Sequence, residues 1–343
     1  MKLTYIIPTY NLAPEDIRRC LASLTQQGLS PADYEVIVVD DESDVSPEPV
    51  VREWEQEMNI RFFCQPHARQ GAARNVGIRE ATGDYIRFVD GDDYLPPHTA
   101  ASLINYMEAH SLDIIIFGFR KSQKVEKSKS QKVEVPESQK DEKKPFRPLD
   151  LFDFSTFRLF PSGQAYMRSH TLFGSPCTLC FRRELLSDPP LRFAENTYIE
   201  DEEFVTRLVW RAGPTAVTPA VSYIYVQRPD STVHQPSPEH IDELFNARFD
   251  ALNGLIRLAQ SENYPHEGLD RKIRYLSIDI LRHALRQDDW QRRFLSCSTT
   301  LKSNGLFPLP KARYSWKYTL FRLLSPTRFG QRLLRHIENI NRK

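Results

Sequence analysis

Short apolar runs alternate with amphipathic helical patterns through the first 120 residues, and this rhythm restricts the possible folds more than any other feature of the chain. Strands are predicted over residues 3–7, 34–39, 60–63, 84–89 and 112–119, with helices over 14–28, 47–57, 71–81 and 97–110. The run YEVIVV at 34–39 is almost continuously apolar, which is typical of a parallel strand covered on both faces. Strands separated by helices in this way predict a doubly wound α/β sheet.

The rest of the chain changes character twice. Residues 121–144 hold almost no apolar side chain and repeat SQK at 122, 130 and 138, so this insert is predicted to be a solvated loop or hairpin arm that arose by tandem duplication. Mixed structure resumes over 146–227, and from Pro238 the pattern is helical. We therefore expect an α/β domain over residues 1–230 and a helical C-terminal region over 231–343.

The C-terminal segment is basic and amphipathic. After Pro326 one helical face is apolar, with Phe329, Leu333, Ile337 and Ile340, and the basic residues off that face are Arg328, Arg332 and Arg335. Two interpretations are open: a helix that packs on its own protein, or one that rests on an anionic membrane surface.

Composition and cysteine usage set the expected compartment. The formal net charge is +1, whereas a nucleic-acid-binding protein would need a concentrated basic face. Five irregularly spaced cysteines suggest reduced thiols. Met1 is followed directly by a strand pattern without a signal peptide, and no run of ~18 apolar residues occurs. We expect a cytoplasmic protein without a nucleic-acid partner, and the tail leaves peripheral attachment at the inner membrane face open.

Three carboxylates crowd the end of the predicted strand 84–89. Asp90, Asp92 and Asp93 come where this strand breaks into a turn, with Gly91 between the first two. Like charges this close repel, and a divalent cation held by oxygen ligands would relieve the repulsion and attract a diphosphate. Turns also favour Asp and Gly, so a plain turn is the alternative for this motif taken alone.

Other strand ends should lie beside this cluster, because the carboxyl ends of parallel strands open onto one edge of a sheet, where such folds bind ligands. IIPTYN ends the first strand, VVDDES ends the second, and GAARNVG opens a helix. Tyr10 offers a ring for stacking, and Asp41 offers an acceptor for an imide N–H such as that of uracil. Arg74 and Asn75 would lie near a diphosphate. The full set of candidates at this edge is Pro8, Thr9, Tyr10, Asp40, Asp41, Arg74, Asn75, Asp90, Gly91 and Asp92.

In combination these motifs resemble the family 2 inverting glycosyltransferases, which have a GT-A fold. The matching motifs are IIPTYN, VVDDES, GAARNVGI, ATGDYIRFVDGDD and YIEDEEF, in the family's order across residues 3–210. The resemblance implies a nucleotide-sugar donor, most often UDP-linked, and a divalent metal, Mn²⁺ or Mg²⁺. Together with the basic tail it also suggests a glycan or lipid-linked glycan acceptor in cell-surface polysaccharide biosynthesis.

The resemblance also implies roles for individual residues. The nucleotide base would be held by Pro8, Tyr10 and Asp41. Asp90 would meet the ribose or sugar side of the donor, and Asp92 would bind the metal. One departure is Glu42, where the family commonly has glycine, and this substitution could alter the loop beneath the base.

Two later segments would complete the implied site. YIEDEEF places Glu200 and Asp201 at the start of a helix, and the resemblance makes Asp201 the general base for the acceptor hydroxyl and Glu200 an acceptor contact. Acids are also common in a first helical turn for electrostatic reasons alone. In some relatives a histidine after the last strand completes the metal shell, so VQRPDSTVH contributes His234 as a metal ligand and Arg228 as a diphosphate contact, with solvated side chains as the alternative.

Two other functions stay open at this point. A nucleotidyltransferase would begin with a glycine-rich phosphate loop, and IIPTYNLAPED contains no glycine. A protein that kept the fold and lost the chemistry would only bind nucleotide or sugar, and the intact Asp90, Asp92 and Asp201 argue against it.

Overall fold

Two compact units make up the chain, and each gathers segments that are not consecutive. A computed structural model describes residues 1–123, 156–227, 238–261 and 267–340. Unit 1 comprises Met1–Pro161, Ser175–Asn196 and Ala212–Pro236, and unit 2 comprises Ser162–Gly174, Thr197–Arg211 and Ser237–Lys343. The insert beyond residue 123, Arg228 and His234 lie outside the described residues. The contiguous division at residue 230 stays a prediction.

Unit 1 is built on a mixed sheet that has eight strands within the described residues. The strands are β1 (Leu3–Thr9), β2 (Tyr34–Asp40), β3 (Asn59–Cys64), β4 (Tyr85–Phe88), β5 (Ile114–Gln123), β6 (Arg158–Phe160), β7 (Leu179–Arg182) and β8 (Thr215–Gln227). Their order across the sheet is β3-β2-β1-β4-β7-β5-β8-β6. Strands β1 to β4 pair in parallel, whereas β7 runs antiparallel to both β4 and β5. Every residue of β1 and β2 is buried, as the apolar runs predicted.

The helices of unit 1 follow the predicted rhythm, but the first ends at Leu24, four residues before its predicted end, and the second is also shorter than predicted. They are α1 (Pro14–Leu24), α2 (Glu48–Arg52), α3 (Arg69–Glu80) and α4 (Thr99–Ala109). Helix α2 ends five residues before the predicted end, and turns follow it as far as Met58. The reason is that the stretch EWEQE at 53–57 has Trp54 as its one apolar residue and therefore little surface to bury.

The order of the strands fixes where a ligand site can lie. β1 has β2 on one side and β4 on the other, so successive crossovers diverge at β1, and this kind of switch point opens a crevice at the carboxyl ends of the strands. Thr9 and Asp40 are register partners at that edge, and Asp90 comes two residues after the end of β4. The structure therefore brings the ends of the first, second and fourth strands together.

Unit 2 is helical in its described part. Its helices are α5 (Gly163–Ser169), α6 (Glu200–Arg211), α7 (Pro238–Ser261), α8 (Glu267–Leu285), α9 (Trp290–Ser303), α10 (Trp316–Leu324) and α11 (Arg328–Ile340). The sequence patterns did not predict α5, α10 or strand β6, since elements of three to nine residues show too little periodicity. Among the helices of the described ranges, none has the length and apolar content needed to cross a bilayer.

Candidate functional site

Asp41 anchors a polar and aromatic cluster at the end of β2. Its side chain is 3% exposed, and Oδ1 accepts hydrogen bonds from the Gln65 side chain (2.7 Å) and the Ala68 backbone N–H (2.9 Å). Oδ2 lies 2.9 Å from Nδ1 of His67. The His67 ring packs on Tyr10, with ring centroids 4.6 Å apart. The predicted base site therefore joins Tyr10 and Asp41 through a histidine that follows β3.

Glu42, the departure from the family's glycine, adopts the backbone conformation that glycine favours. Its φ is 63°, in the left-handed region, which costs a side-chain-bearing residue about 1 kcal/mol or more. The side chain is used in return, because Oε2 accepts a hydrogen bond from the backbone N–H of His67 at 2.9 Å. The glutamate therefore secures the loop that carries His67.

Thr9 and Asp40 form a buried hydrogen-bond network at the carboxyl ends of β1 and β2. Asp40 is 1% exposed, and its carboxylate accepts hydrogen bonds from the Thr9 hydroxyl (3.2 Å), the Ser43 hydroxyl (2.6 Å) and the Ser43 N–H (3.0 Å). Pro8 is a buried register partner of Val39. The polar atoms of Thr9 and Asp40 thus hold β1, β2 and the following turn together.

Arg74 supplies positive charge to the carboxylate cluster. It is 2% exposed, and its Nη2 lies 2.9 Å from Oδ1 of Asp90, which also accepts a hydrogen bond from the Gln70 side chain at 2.9 Å. The Arg74 guanidinium lies 5.3 Å from the centroid of the Phe193 ring. The Asp90 side chain remains 26% exposed, so this ion pair stands at the surface of the predicted donor site.

Asp93 is the structural member of the three carboxylates. It is 1% exposed, and it accepts hydrogen bonds from the Tyr223 hydroxyl (2.5 Å) and the Val226 N–H (2.7 Å) of β8. Burial first, and then the negative charges of Asp90 and Asp92, raise the pKa of Asp93 to about 8. Asp93 therefore ties the turn to β8, and Asp90 and Asp92 are the half-buried carboxylates of the motif.

Gly91 lies where the turn after β4 passes close to the end of β1. A Cβ atom at this position would lie 2.7 Å from Cδ1 of Leu12 and 3.0 Å from Cγ2 of Thr9. The close approach accounts for a glycine between the two aspartates.

Asn75 is buried and forms hydrogen bonds with a segment that comes much later in the chain. It is 2% exposed, its amide nitrogen donates to the Phe193 carbonyl (3.0 Å) and to Glu195 (2.9 Å), and its oxygen accepts from the Phe193 N–H (2.9 Å). These bonds attach the segment around Phe193 to helix α3, and the contact of Asn75 with the diphosphate stays a prediction.

Glu200 and Asp201 open helix α6 in unit 2. Glu200 is 5% exposed and Asp201 is half-buried. The next two residues are held by basic side chains, because Glu202 forms an ion pair with Lys272, and Glu203 lies 2.8 Å from Arg207. The first turn of α6 is therefore fixed within its own unit, and the catalytic role of Asp201 stays a prediction.

Several residues of the site were missed by the sequence analysis. Gln65 and His67 lie in the loop after β3, and Gln70 lies in the first turn of α3, all within the stretch CQPHARQ. Strand β3 is the parallel neighbour of β2, so it ends at the same edge of the sheet, and its position predicts site residues in the segment that follows it. Tyr223 lies within a strand and carries no comparable signal.

The donor set of the cluster fits a divalent cation that shares its ligands with a diphosphate. Within the described ranges, no group of three or more His, Cys, Asp or Glu side chains converges as a complete metal site. Asp90 and Asp92 offer hard oxygen atoms, and Mg²⁺ in particular is commonly held by one or two carboxylates plus substrate phosphates. His234, the other predicted ligand, lies outside the described residues.

A comparison with known families decides the kind of protein. A sequence profile described as "Glycosyl transferase family 2" matches residues 4–188, more than half of the chain. The chain belongs to glycosyl transferase family 2. It is a glycosyltransferase, as the sequence motifs implied, and the matched span contains the edge residues from Thr9 to Asp93.

Two relatives show how far the similarity extends. The chain is 28% identical over 285 residues to the uncharacterized glycosyltransferase EpsJ of Bacillus subtilis, which covers 82% of this chain and 76% of EpsJ. It is 30% identical over 118 residues to the poly(ribitol-phosphate) beta-N-acetylglucosaminyltransferase TarS of Staphylococcus aureus. That match covers 34% of this chain and only 20% of TarS.

Solved structures confirm the expected GT-A fold. TarS residues 1–349 in complex with UDP-GlcNAc superpose with a TM-score of 0.66 at 18% identity, covering 100% of this chain and 92% of that one. The mannosyltransferase PcManGT of Pyrobaculum calidifontis, in complex with GDP-Man and Mn²⁺, has a TM-score of 0.54 at 16% identity, covering 99% and 87%.

Proposed function

We propose that this glycosyltransferase moves a sugar from a UDP-linked donor, with inversion, to a hydroxyl of a glycan or lipid-linked glycan in polysaccharide biosynthesis. The observation that carries the proposal is the edge of the unit 1 sheet, where Tyr10, His67 and Asp41 form one cluster and Arg74 with Asp90 forms another. TarS, whose name states transfer to poly(ribitol-phosphate), is also the neighbour solved with UDP-GlcNAc. A lipid-linked acceptor would place the reaction at the cytoplasmic face of a membrane.

The first cluster suits a pyrimidine base. Tyr10 is 47% exposed, so part of its ring surface can stack on a base, and the Asp41 carboxylate can accept the imide N–H of uracil. Stacking on an aromatic side chain contributes about 1–3 kcal/mol per base. Replacing Tyr10 by alanine should therefore weaken UDP binding by roughly 5- to 150-fold.

The second cluster suits the diphosphate and the metal. The buried Arg74 places a positive charge beside Asp90, and Arg228 would add a diphosphate contact. Asp92 and His234 would hold Mn²⁺ or Mg²⁺, which when bound neutralises negative charge on the departing diphosphate. The donor side needs no further carboxylate as an acid catalyst, because the nucleoside diphosphate is already a good leaving group.

The acceptor side requires one base. Asp201 would take the proton from the acceptor hydroxyl as that oxygen attacks the anomeric carbon, and Glu200 would contact the acceptor. A single displacement of this kind inverts the configuration at the anomeric carbon.

The test is a binding panel followed by turnover. UDP, GDP and CMP are titrated by calorimetry with and without Mn²⁺, against wild type, Asp92→Ala and Asp201→Asn. We expect UDP to bind best and to gain affinity with Mn²⁺, and we expect Asp92→Ala to lose that gain. Asp201→Asn should bind UDP normally and lose about 10²–10⁴-fold in turnover.

Matched controls separate the site from general effects. Asp84→Asn changes an exposed carboxylate at the opposite end of β4, and Asp270→Asn changes a carboxylate in the first turn of α8. Both should behave as wild type. Preference for GDP would overturn the UDP assignment, and the absence of any nucleotide binding would overturn the donor site itself. Nucleotide binding without transfer to any glycan acceptor would favour the inactive binding protein.

A further inference from the structure

Helix α11 buries a face that its apolar pattern does not predict. Gly330, Leu334 and Glu338 are buried, and α11 packs against α8 and α10. The Glu338 carboxylate accepts hydrogen bonds from Arg282 of α8 and from Arg286, which directly follows that helix, both at 2.6 Å. The ion pairs select this face for burial.

Three of the four residues of the apolar face of α11 are exposed to solvent, and the fourth, Ile337, is half-buried. Phe329 is 78% exposed, Leu333 40% and Ile340 59%. At about 100° of rotation per residue, these three side chains fall within about 40° of one another on the helix. Arg328 and Arg332, both exposed, lie along one side of this sector.

Helix α10 repeats the arrangement. Trp316 is 71% exposed, Leu320 38% and Leu323 59%, and their spacing of four and three residues places them on one face. Tyr318 and Phe321 are buried on the other side of the helix. We call the six exposed residues of α10 and α11 the apolar stripe; they are Trp316, Leu320, Leu323, Phe329, Leu333 and Ile340.

The segment that carries the apolar stripe has exposed charge of one sign. The basic residues of the described segment 311–340 are Lys311, Arg313, Lys317, Arg322, Arg328, Arg332 and Arg335. Arg335 lies over the ring of Trp290 at 5.3 Å, and the others are exposed or half-buried. The acid of this segment is Glu338, which is buried and paired. The exposed surface therefore combines large apolar side chains with positive charge.

We infer that α10 and α11 form a docking surface for an anionic lipid bilayer. Aromatic and aliphatic side chains flanked by arginine and lysine match an acyl boundary beneath negative headgroups. A second copy of the chain would have to bring two basic surfaces together around its apolar contact, which charge repulsion disfavours. The inference uses residues separate from the donor site and does not depend on which nucleotide binds there.

Vesicle sedimentation of the full chain tests the inference. Vesicles of phosphatidylcholine are compared with an equal mixture of phosphatidylcholine and phosphatidylglycerol, at low and at physiological salt. Wild type should bind the mixture at least tenfold more tightly than phosphatidylcholine alone, and salt should weaken this binding. Each arginine near the surface contributes roughly fivefold, so Arg328→Gln with Arg332→Gln should lose roughly 25-fold.

The apolar part is tested separately. Phe329→Ser with Leu333→Ser should lose about tenfold or more, because two side chains no longer leave water. Leu295→Ser, a 67% exposed leucine on α9, and Arg257→Gln, an exposed arginine on α7, are the matched controls and should bind as wild type. Denaturant unfolding followed by tryptophan fluorescence shows that each variant is folded, because three of the four tryptophans lie in unit 2, and this control does not depend on the donor assignment.

Two outcomes would overturn the inference. One is equal or absent binding to the two kinds of vesicle. The other is a dimer in light scattering that dissociates in the Phe329→Ser, Leu333→Ser variant, since a second copy would then occupy the apolar stripe.

Discussion

Lys272 offers the sharpest test of how unit 2 is held together. It lies in α8 with 1% of its side chain exposed, forms an ion pair with Glu202 of α6, and donates a hydrogen bond to the Leu172 carbonyl at 2.8 Å. Its Nζ also lies 5.2 Å from the centroid of the Tyr275 ring. Replacing Lys272 by methionine removes the charge and the donor while it keeps most of the aliphatic stem.

The expected loss in the free energy of unfolding comes from the Glu202 carboxylate and the Leu172 carbonyl, which lose their partner. Removing one partner of a buried ion pair costs about 3–5 kcal/mol, because the other charge stays in poorly solvated surroundings. The Glu202 side chain is 21% exposed, so water can recover part of its solvation and the cost falls to the lower end of that range. The Leu172 carbonyl loses a donor, which adds about 1 kcal/mol. We expect the free energy of unfolding to fall by about 3–4 kcal/mol.

Tryptophan fluorescence during denaturant unfolding is a suitable assay. Trp210, Trp290 and Trp316 lie in unit 2 and Trp54 lies in unit 1, so three of the four tryptophans report on the unit that is perturbed.

A double-variant cycle isolates the pair. Adding Glu202→Gln to Lys272→Met should recover part of the loss, with a coupling energy of about 1–3 kcal/mol. Arg292→Met is the control, because Arg292 pairs with Asp289 but is 78% exposed and should cost less than about 1 kcal/mol. The reasoning is refuted if Lys272→Met costs no more than Arg292→Met, or if the two changes at the Lys272 pair are additive.

Two further predictions concern acid stability and packing. Burial alone would raise the pKa of Asp279, but the hydrogen bonds and charges of His283 and Arg248 outweigh it and lower the pKa to about 2. Because the folded pKa lies below the unfolded one, this group contributes about 2 kcal/mol above pH ~4, and the contribution disappears as the pH falls towards 2. Unfolding curves of wild type and Asp279→Asn should therefore differ at neutral pH and converge near pH 2. Gly77→Ala should cost about 1–3 kcal/mol in thermal melting, because its Cβ would lie 2.3 Å from Cγ2 of Ile6 in β1.

Each of these predictions has a result that contradicts it. A difference between wild type and Asp279→Asn that stays constant from neutral pH to pH 2 would show that the carboxylate is not stabilised in its charged form. Arg79→Ala, an exposed change on helix α3, is the control for Gly77→Ala, and equal melting temperatures for the two variants would refute the close contact.

The residues at the edge of the sheet could be predicted because they depend on short, local sequence patterns. Apolar runs of strand length, separated by helical patterns, require parallel strands, and parallel strands end at one edge. The positions of Tyr10, Asp41 and Asp90 follow from that rule. His67 follows from it too, once the rule is applied to β3.

Long-range partners could not be predicted in this way. Which of the three crowded carboxylates is structural depends on Tyr223, 130 residues from Asp93 along the chain. The surroundings of Asn75 depend on Phe193, 118 residues away. Residue types and spacing near a motif carry no information about such contacts. The sequence therefore cannot separate a polar residue that binds ligand from one that holds the fold together.

The sequence alone determined the family, the α/β sheet and the amphipathic character of the last helix, because these depend on short motifs and on hydrophobic period. Tertiary structure alone decided what each face and each carboxylate does. Arg282 and Arg286 pair with Glu338 on the buried side of α11, whereas Phe329 and Leu333, which are more hydrophobic than a glutamate, stay in solvent. Burial is settled by the partners that a face meets, and those partners come from distant parts of the chain.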